Sequence, residues 1–185
     1  MSVFDPDVWK QRAWARFCRA TRRLSARDKK RQAALELTWA KDVIAIADLA
    51  RIVEWCGTRC IRVEFAKKPL GSYSTAEKVM TISSRLHPLR QVVVLLHECG
   101  HHLCGGADHH DRFGMGYPQT EPNVKRTFHH RMSCLEEEIE AWHRGWKLAV
   151  RLGLSVTREE FDVVRLDCLK SYVRWTLQPE TMEKE

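Results

Sequence analysis

Val92-Val93-Val94-Leu95-Leu96-His97-Glu98-Cys99-Gly100-His101 decides how the rest of this chain is read. Five apolar residues lead directly into two histidines four positions apart, with a glutamate immediately after the first. Pro88 stands where a helix can begin and Gly105-Gly106 where one would stop, so the spacing predicts a helix over 89–104. On that helix His97 and His101 share one face, one turn apart, and both imidazoles can reach a single tetrahedral zinc ion. Glu98 projects beside them, close enough to take a proton from a zinc-bound water and not placed to ligate the metal. This is the division of labour of the His-Glu-x-x-His motif: zinc lowers the pKa of water and polarises a carbonyl, and the carboxylate acts as base. His97 and His101 are candidate metal ligands, and Glu98 is the candidate general base.

A catalytic zinc site normally has three protein ligands, so a third has to be found. The extension His-x-x-Gly-x-x-His fails, because Cys104 and Ala107 occupy the required positions. Asp108, His109, His110, Asp111, His129 and His130 remain open, all in the irregular stretch 105–130, which is rich in Gly, His, Asp and Pro. Leu135-Glu136-Glu137-Glu138-Ile139-Glu140-Ala141-Trp142 offers a stronger candidate. Helical periodicity over 133–152 predicts a large apolar stripe of Leu135, Ile139, Trp142, Trp146 and Val150. Beside it runs a line of small residues, Cys134, Ala141, Gly145 and Ala149, that would let this helix pack closely on another. Glu138 alone among the four acids falls on that line. Glu136 and Glu140 belong to the solvated face, and Glu137 goes with Arg144.

Val94 to His101 followed by Glu138-Ile139-Glu140-Ala141 resembles the zincin metallopeptidases whose third ligand is a glutamate on the next helix. The likeness is to the small ImmA/IrrE-type family of bacteria, phages and mobile elements, and it covers about residues 60–150. It implies a peptidase with a protein or peptide substrate. It also implies a short sheet ahead of the active-site helix whose edge strand, here Ser72–Ser74 or Val79–Ser83, pairs with the substrate backbone. Trp142 stands where the family pattern carries Asp or Asn. Tyr117, His129, His130 and Arg131 are candidate oxyanion donors.

Outward from this core, Ile61, Val63 and Phe65 alternate with Arg62, Glu64 and Ala66 as a half-buried strand, and residues 72–83 form a candidate hairpin around Thr75–Lys78. Two helices are expected upstream, over about 7–25 and 32–56. Thr157-x-x-Glu160 opens a last helix with the stripe Phe161, Val164, Cys168, Tyr172 and Trp175. The expected fold class is α+β: a zincin-like domain with a small antiparallel or mixed sheet, an active-site helix and a Glu-bearing helix, preceded by two N-terminal helices. The expected organisation is a basic helical segment, 1–57, packed on the same domain, a core over 58–178 and a flexible tail over 179–185.

The 185 residues are 44% hydrophobic and 30% charged, a balance that supports a globular core. The longest apolar run, Val92–Leu96, is far short of the ~18 residues of a membrane helix, and no secretory leader is visible, so a cytoplasmic protein without membrane partners is expected. Seven cysteines without any Cys-x-x-Cys pair argue for reduced, mostly buried thiols. The net charge of +7 is concentrated in Lys10, Arg12, Arg16, Arg19, Arg22, Arg23, Arg27, Lys29, Lys30 and Arg31. An alternative function follows from that cluster: a zincin-fold nucleic-acid-binding or protein-interaction module with a structural zinc, its basic N-terminal helices neutralising phosphates.

Overall fold

The computed structural model describes residues 5–22, 28–67, 70–105 and 128–177. They form an α+β fold of five helices and a small mixed sheet: α1 (Pro6–Thr21), α2 (Lys29–Gly57), β1 (Arg62–Ala66), β2 (Gly71–Ser74), β3 (Val79–Ser83), α3 (Pro88–Cys104), α4 (Phe128–Arg151) and α5 (Arg158–Thr176). The tail at 179–185 lies outside the described residues, as do Asp108, His109, His110, Asp111 and Tyr117. The chain divides into two compact units, and the division falls inside α3. Residues 1–95 and 151–156 make one unit, 96–150 and 157–185 the other.

In the first unit Asp5 caps α1 by accepting from the Asp7 amide at 2.9 Å, and the helix buries Trp9 and Ala13. The Trp9 ring packs on Phe65 of β1 with centroids 5.0 Å apart, so the basic N-terminal helices share a unit with the sheet. Lys10, Arg12, Arg16, Arg19, Arg22 and Arg31 are exposed, and Arg16 reaches the buried Asp42 of α2 at 3.1 Å. The strand order is β1-β3-β2, with β1 parallel and β2 antiparallel to β3. β3 is thus paired on both sides, which removes Val79–Ser83 as a substrate-pairing edge and leaves β2 at a sheet edge among the described residues. The expected alternation fails in β1 at Glu64, which is buried and ion-paired to Arg62 at 2.9 Å. Asp48 of α2 accepts from the Ser155 amide at 2.8 Å, and Arg51 donates to the Gly153 carbonyl at 2.8 Å. These contacts tie 151–156 to α2, and burial pushes the Asp48 carboxyl above its ordinary value.

The second unit is built from α4, α5 and the C-terminal half of α3. Residues 91–100 of α3 are buried without interruption, the polar Gln91, His97 and Glu98 among them. α4 presents the line of small residues expected of it: Glu138, Ala141, Gly145 and Ala149 are buried, together with Trp142 and Leu148. The broad apolar stripe is corrected, because Ile139 and Val150 are exposed. The reason is the closeness of the helices. A Cβ at Gly145 would stand 2.5 Å from the Leu96 carbonyl oxygen, and one at Gly100 would overlap the Ala141 carbonyl. Backbones this near leave no room for large side chains on the facing line and rotate them to its flanks.

Thr157 and Glu160 form the expected capping box at the start of α5, with the Glu160 amide donating to Thr157 Oγ1 at 3.2 Å and the Thr157 amide to Glu160 Oε2 at 3.1 Å. Thr157→Ala is expected to cost about 1 kcal/mol of stability, read as a lowered urea midpoint at unchanged slope. None of the seven cysteines is in a disulfide; Cys56, Cys99 and Cys104 are buried, Cys60 is exposed and the rest are half-buried.

Candidate metal centre

The apolar lead-in of α3 places His97 and His101 in the second unit, and the small-residue line of α4 brings Glu138 against them. His97 Nε2 and His101 Nε2 lie 3.1 Å apart. Glu138 closes the triangle, with Oε2 at 3.1 Å from His97 Nε2 and Oε1 at 3.3 Å from His101 Nε2. Three donors bonded to one tetrahedral ion at about 2.0–2.2 Å would stand about 3.3–3.6 Å from one another. The two Glu138 contacts run to different oxygens, but one donor atom from each of the three residues lies within 4.8 Å of the others, so this His97, His101 and Glu138 group can hold a metal ion.

Burial and mutual contact set the charges of the trio. Burial works against charge on His97 and lowers its pKa, which favours the neutral imidazole that binds metals. Burial also opposes charge on His101, yet the Glu137 and Glu138 carboxylates beside it lift it to about 10. Burial would raise Glu138 as well, but the two imidazoles hold it down to about 2. Glu98 is buried beside them, and desolvation pushes its carboxyl up to about 7, with His101 lowering and Glu138 raising it.

A sign follows for metal binding. The His101 pKa lies above its ordinary value, so the ring keeps its proton through neutral pH, and an incoming cation has to displace it. Apparent metal affinity is expected to fall about tenfold for each pH unit from 8 to 6, as one proton is exchanged per ion. A chelator-competition titration at several pH values measures this, and a flat profile would contradict it.

Two surrounding groups differ from expectation. Trp142 stacks on the His97 ring, centroids 4.1 Å apart and planes 18° from parallel, and His97 Nδ1 is buried without a hydrogen-bond partner. The ring is oriented by an indole face where a carboxylate or amide would otherwise hold it. Glu137, read from sequence as a partner of Arg144, instead places Oε1 3.6 Å from His101 Nδ1, behind the face that meets Glu138. Arg144 pairs with Glu140 at 2.7 Å. A carboxylate behind a ligating imidazole raises the basicity of the ring and fixes its tautomer.

Of the other candidates among the described residues, His129 is exposed, and His130 lies 3.5 Å from Cys134 Sγ and edge-on to Trp175. Neither joins the trio. Arg131 is buried, with Nε 3.4 Å from the Thr176 carbonyl, which ties it to the last turn of α5. The residue that sequence reasoning missed is Tyr172 of α5. Its phenol is held above the ordinary value by burial and by the negative charge of Glu138. It sat unnoticed in an apolar stripe, and the only signal was the polar tip that an otherwise apolar tyrosine carries.

No family model, curated protein or solved structure matches the chain. No described helix is long and apolar enough to cross a membrane.

Proposed function

We propose that the chain is a zinc metallopeptidase in which His97, His101 and Glu138 hold the metal and Glu98 is the general base. The observation that carries this reading is the convergence of two imidazole nitrogens and a carboxylate within 4.8 Å of one another, with a second buried carboxyl one residue from the first ligand. Two nitrogens and an oxygen suit zinc, and three protein ligands leave its fourth position open. A zinc ion bound there supplies Lewis acidity and brings the pKa of water down to about 7.

The chain's own residues supply the rest. Glu98 takes the proton of the attacking water and returns it to the leaving amine, a task suited to a carboxyl whose burial places it near neutral pH. Trp142 and Glu137 fix the two imidazole planes, so that neither ring turns away when the substrate carbonyl enters. The burial of α3 around the motif limits competing water. The sequence resemblance to ImmA/IrrE-type zincins points to a peptide bond as the target.

Incubation of the zinc-loaded protein with a fluorogenic peptide library tests this. Cleavage that a zinc chelator abolishes and added zinc restores is the expected result; zinc-loaded protein that leaves every peptide intact would overturn the peptidase reading.

The exposed cations of α1 favour a second activity. Lys10, Arg12, Arg16 and Arg19 of the helix and Arg22 at its C-cap are exposed, against Asp7 alone among the acids within the helix. Contact with nucleic acid through this face would show as a binding constant that falls steeply with salt and is lost when the five are replaced by glutamine. Salt-independent binding, or none, would remove it.

A further inference from the structure

α5 is apolar on two opposite sides. One is the line expected of it, on which Phe161 and Val164 are buried and Tyr172 and Trp175 half-buried. The other is formed by Val163, Leu166, Val173 and, at the C-cap, Leu177, which are 70, 55, 43 and 74% exposed. With the exposed Lys170 between Leu166 and Val173, these positions recur three and four apart and share one face. A helix on a domain surface ordinarily turns a polar face to water, and a continuous apolar line there marks a surface that meets another molecule. The line lies wholly within the second unit.

The charges beside the line decide what it fits. Asp167 and Arg174, both exposed, lie two turns apart on one flank, and on the other flank Leu169 and Thr176 are buried. Two copies of α5 running antiparallel about a two-fold axis near Lys170 and Ser171 set the charged flank against itself. Asp167 of each copy then stands across from Arg174 of the other, twice over, and Leu166 of each meets Val173 and Leu177 of the other. A parallel pair would instead set Arg174 against Leu169 and Thr176, which carry no charge. Lys170 sits near the axis, where its stem covers apolar surface and its ammonium turns to water; a lysine in such a line fixes the register at a cost in affinity. The contact is about 20 Å long, which puts it among the small specific interfaces.

We propose that the outer face of α5 is a docking surface for a second copy of the same chain, seated antiparallel by two-fold symmetry. The dimer is weak and concentration-dependent, with a dissociation constant in the micromolar range. Its surface includes no residue of the metal centre, and it forms whether or not a metal is bound.

Sedimentation equilibrium of the full chain, from low micromolar to millimolar concentration, tests this. The variants are Leu166→Gln, Asp167→Arg, Arg174→Asp and the double exchange of Asp167→Arg with Arg174→Asp, all at exposed positions. Wild type is expected to pass from monomer to dimer across the series. Leu166→Gln is expected to weaken the dimer about 10- to 100-fold, because a two-fold interface meets each substitution twice. Either single charge reversal sets like charges across the axis and is expected to weaken it about 3- to 10-fold, and the double exchange to restore it. Wild type that stays monomeric would leave the face to another occupant and overturn the proposal. Dimerisation untouched by Leu166→Gln would place the contact elsewhere and overturn it too. A double exchange no tighter than the single reversals would overturn the antiparallel seating, and this comparison decides on its own if Leu166→Gln fails to fold.

Discussion

Gly100→Ala is expected to destabilise the protein by about 3 kcal/mol, the upper end of what over-packing a core costs. In an ordinary helix interior the same exchange stabilises by up to about 1 kcal/mol, so the sign itself is diagnostic. Gly100 is inverted because an added Cβ would overlap the Ala141 carbonyl oxygen and stand 3.0 Å from Ala141 Cα. Those atoms are backbone, and a backbone can retreat only if the whole of α4 moves. Ala141 is one turn after Glu138, so the retreat would also draw the carboxylate away from His97 and His101. Urea unfolding of Gly100→Ala is expected to show a lowered midpoint, and zinc affinity is expected to fall with it. A neutral or stabilising Gly100→Ala would contradict the close approach of the two helices. Gly145→Ala meets the Leu96 carbonyl oxygen at 2.5 Å and is expected to follow the same direction less severely.

Glu98→Gln is expected to lower peptide hydrolysis by about 10²- to 10⁴-fold while leaving zinc content and folding unchanged. The amide fills the same space, so the buried site keeps its shape, but it has no lone pair basic enough to accept the proton of the attacking water. The loss falls on kcat and on kcat/KM together, because the proton is transferred in the transition state and not on binding. Hydrolysis by Glu98→Gln at the wild-type rate would assign the base to another residue.

The site was legible in the sequence to different depths. His97, Glu98 and His101 were carried by their spacing alone, since a helix leaves no freedom in which residues four apart share a face. Glu138 required the small-residue line, and it was found because Gly145 and Ala141 mark where one backbone comes near another. The same close approach hid the true core of α4. Ile139 and Val150 read as buried by hydrophobicity and are exposed, because the line that faces α3 admits only small side chains. In β1, period-two alternation missed Glu64, whose pairing with Arg62 accompanies its burial. Glu137 and Tyr172 were out of reach for a different reason. Their roles depend on the rotation of α4 and on the docking of α5, and neither is written in local periodicity. Tyr172 in particular carries an apolar ring in an apolar stripe and differs from its neighbours only at its last atom.

The measurement that tests the metal centre most directly is the zinc content of wild type, Glu98→Gln and Glu138→Ala purified from one host and analysed for bound metal. Wild type and Glu98→Gln are expected to carry about one zinc per chain, and Glu138→Ala to lose it, because two imidazoles alone bind zinc weakly. Zinc retained in full by Glu138→Ala, or absent from the wild type even after zinc is supplied, would contradict the assignment of His97, His101 and Glu138 as its ligands.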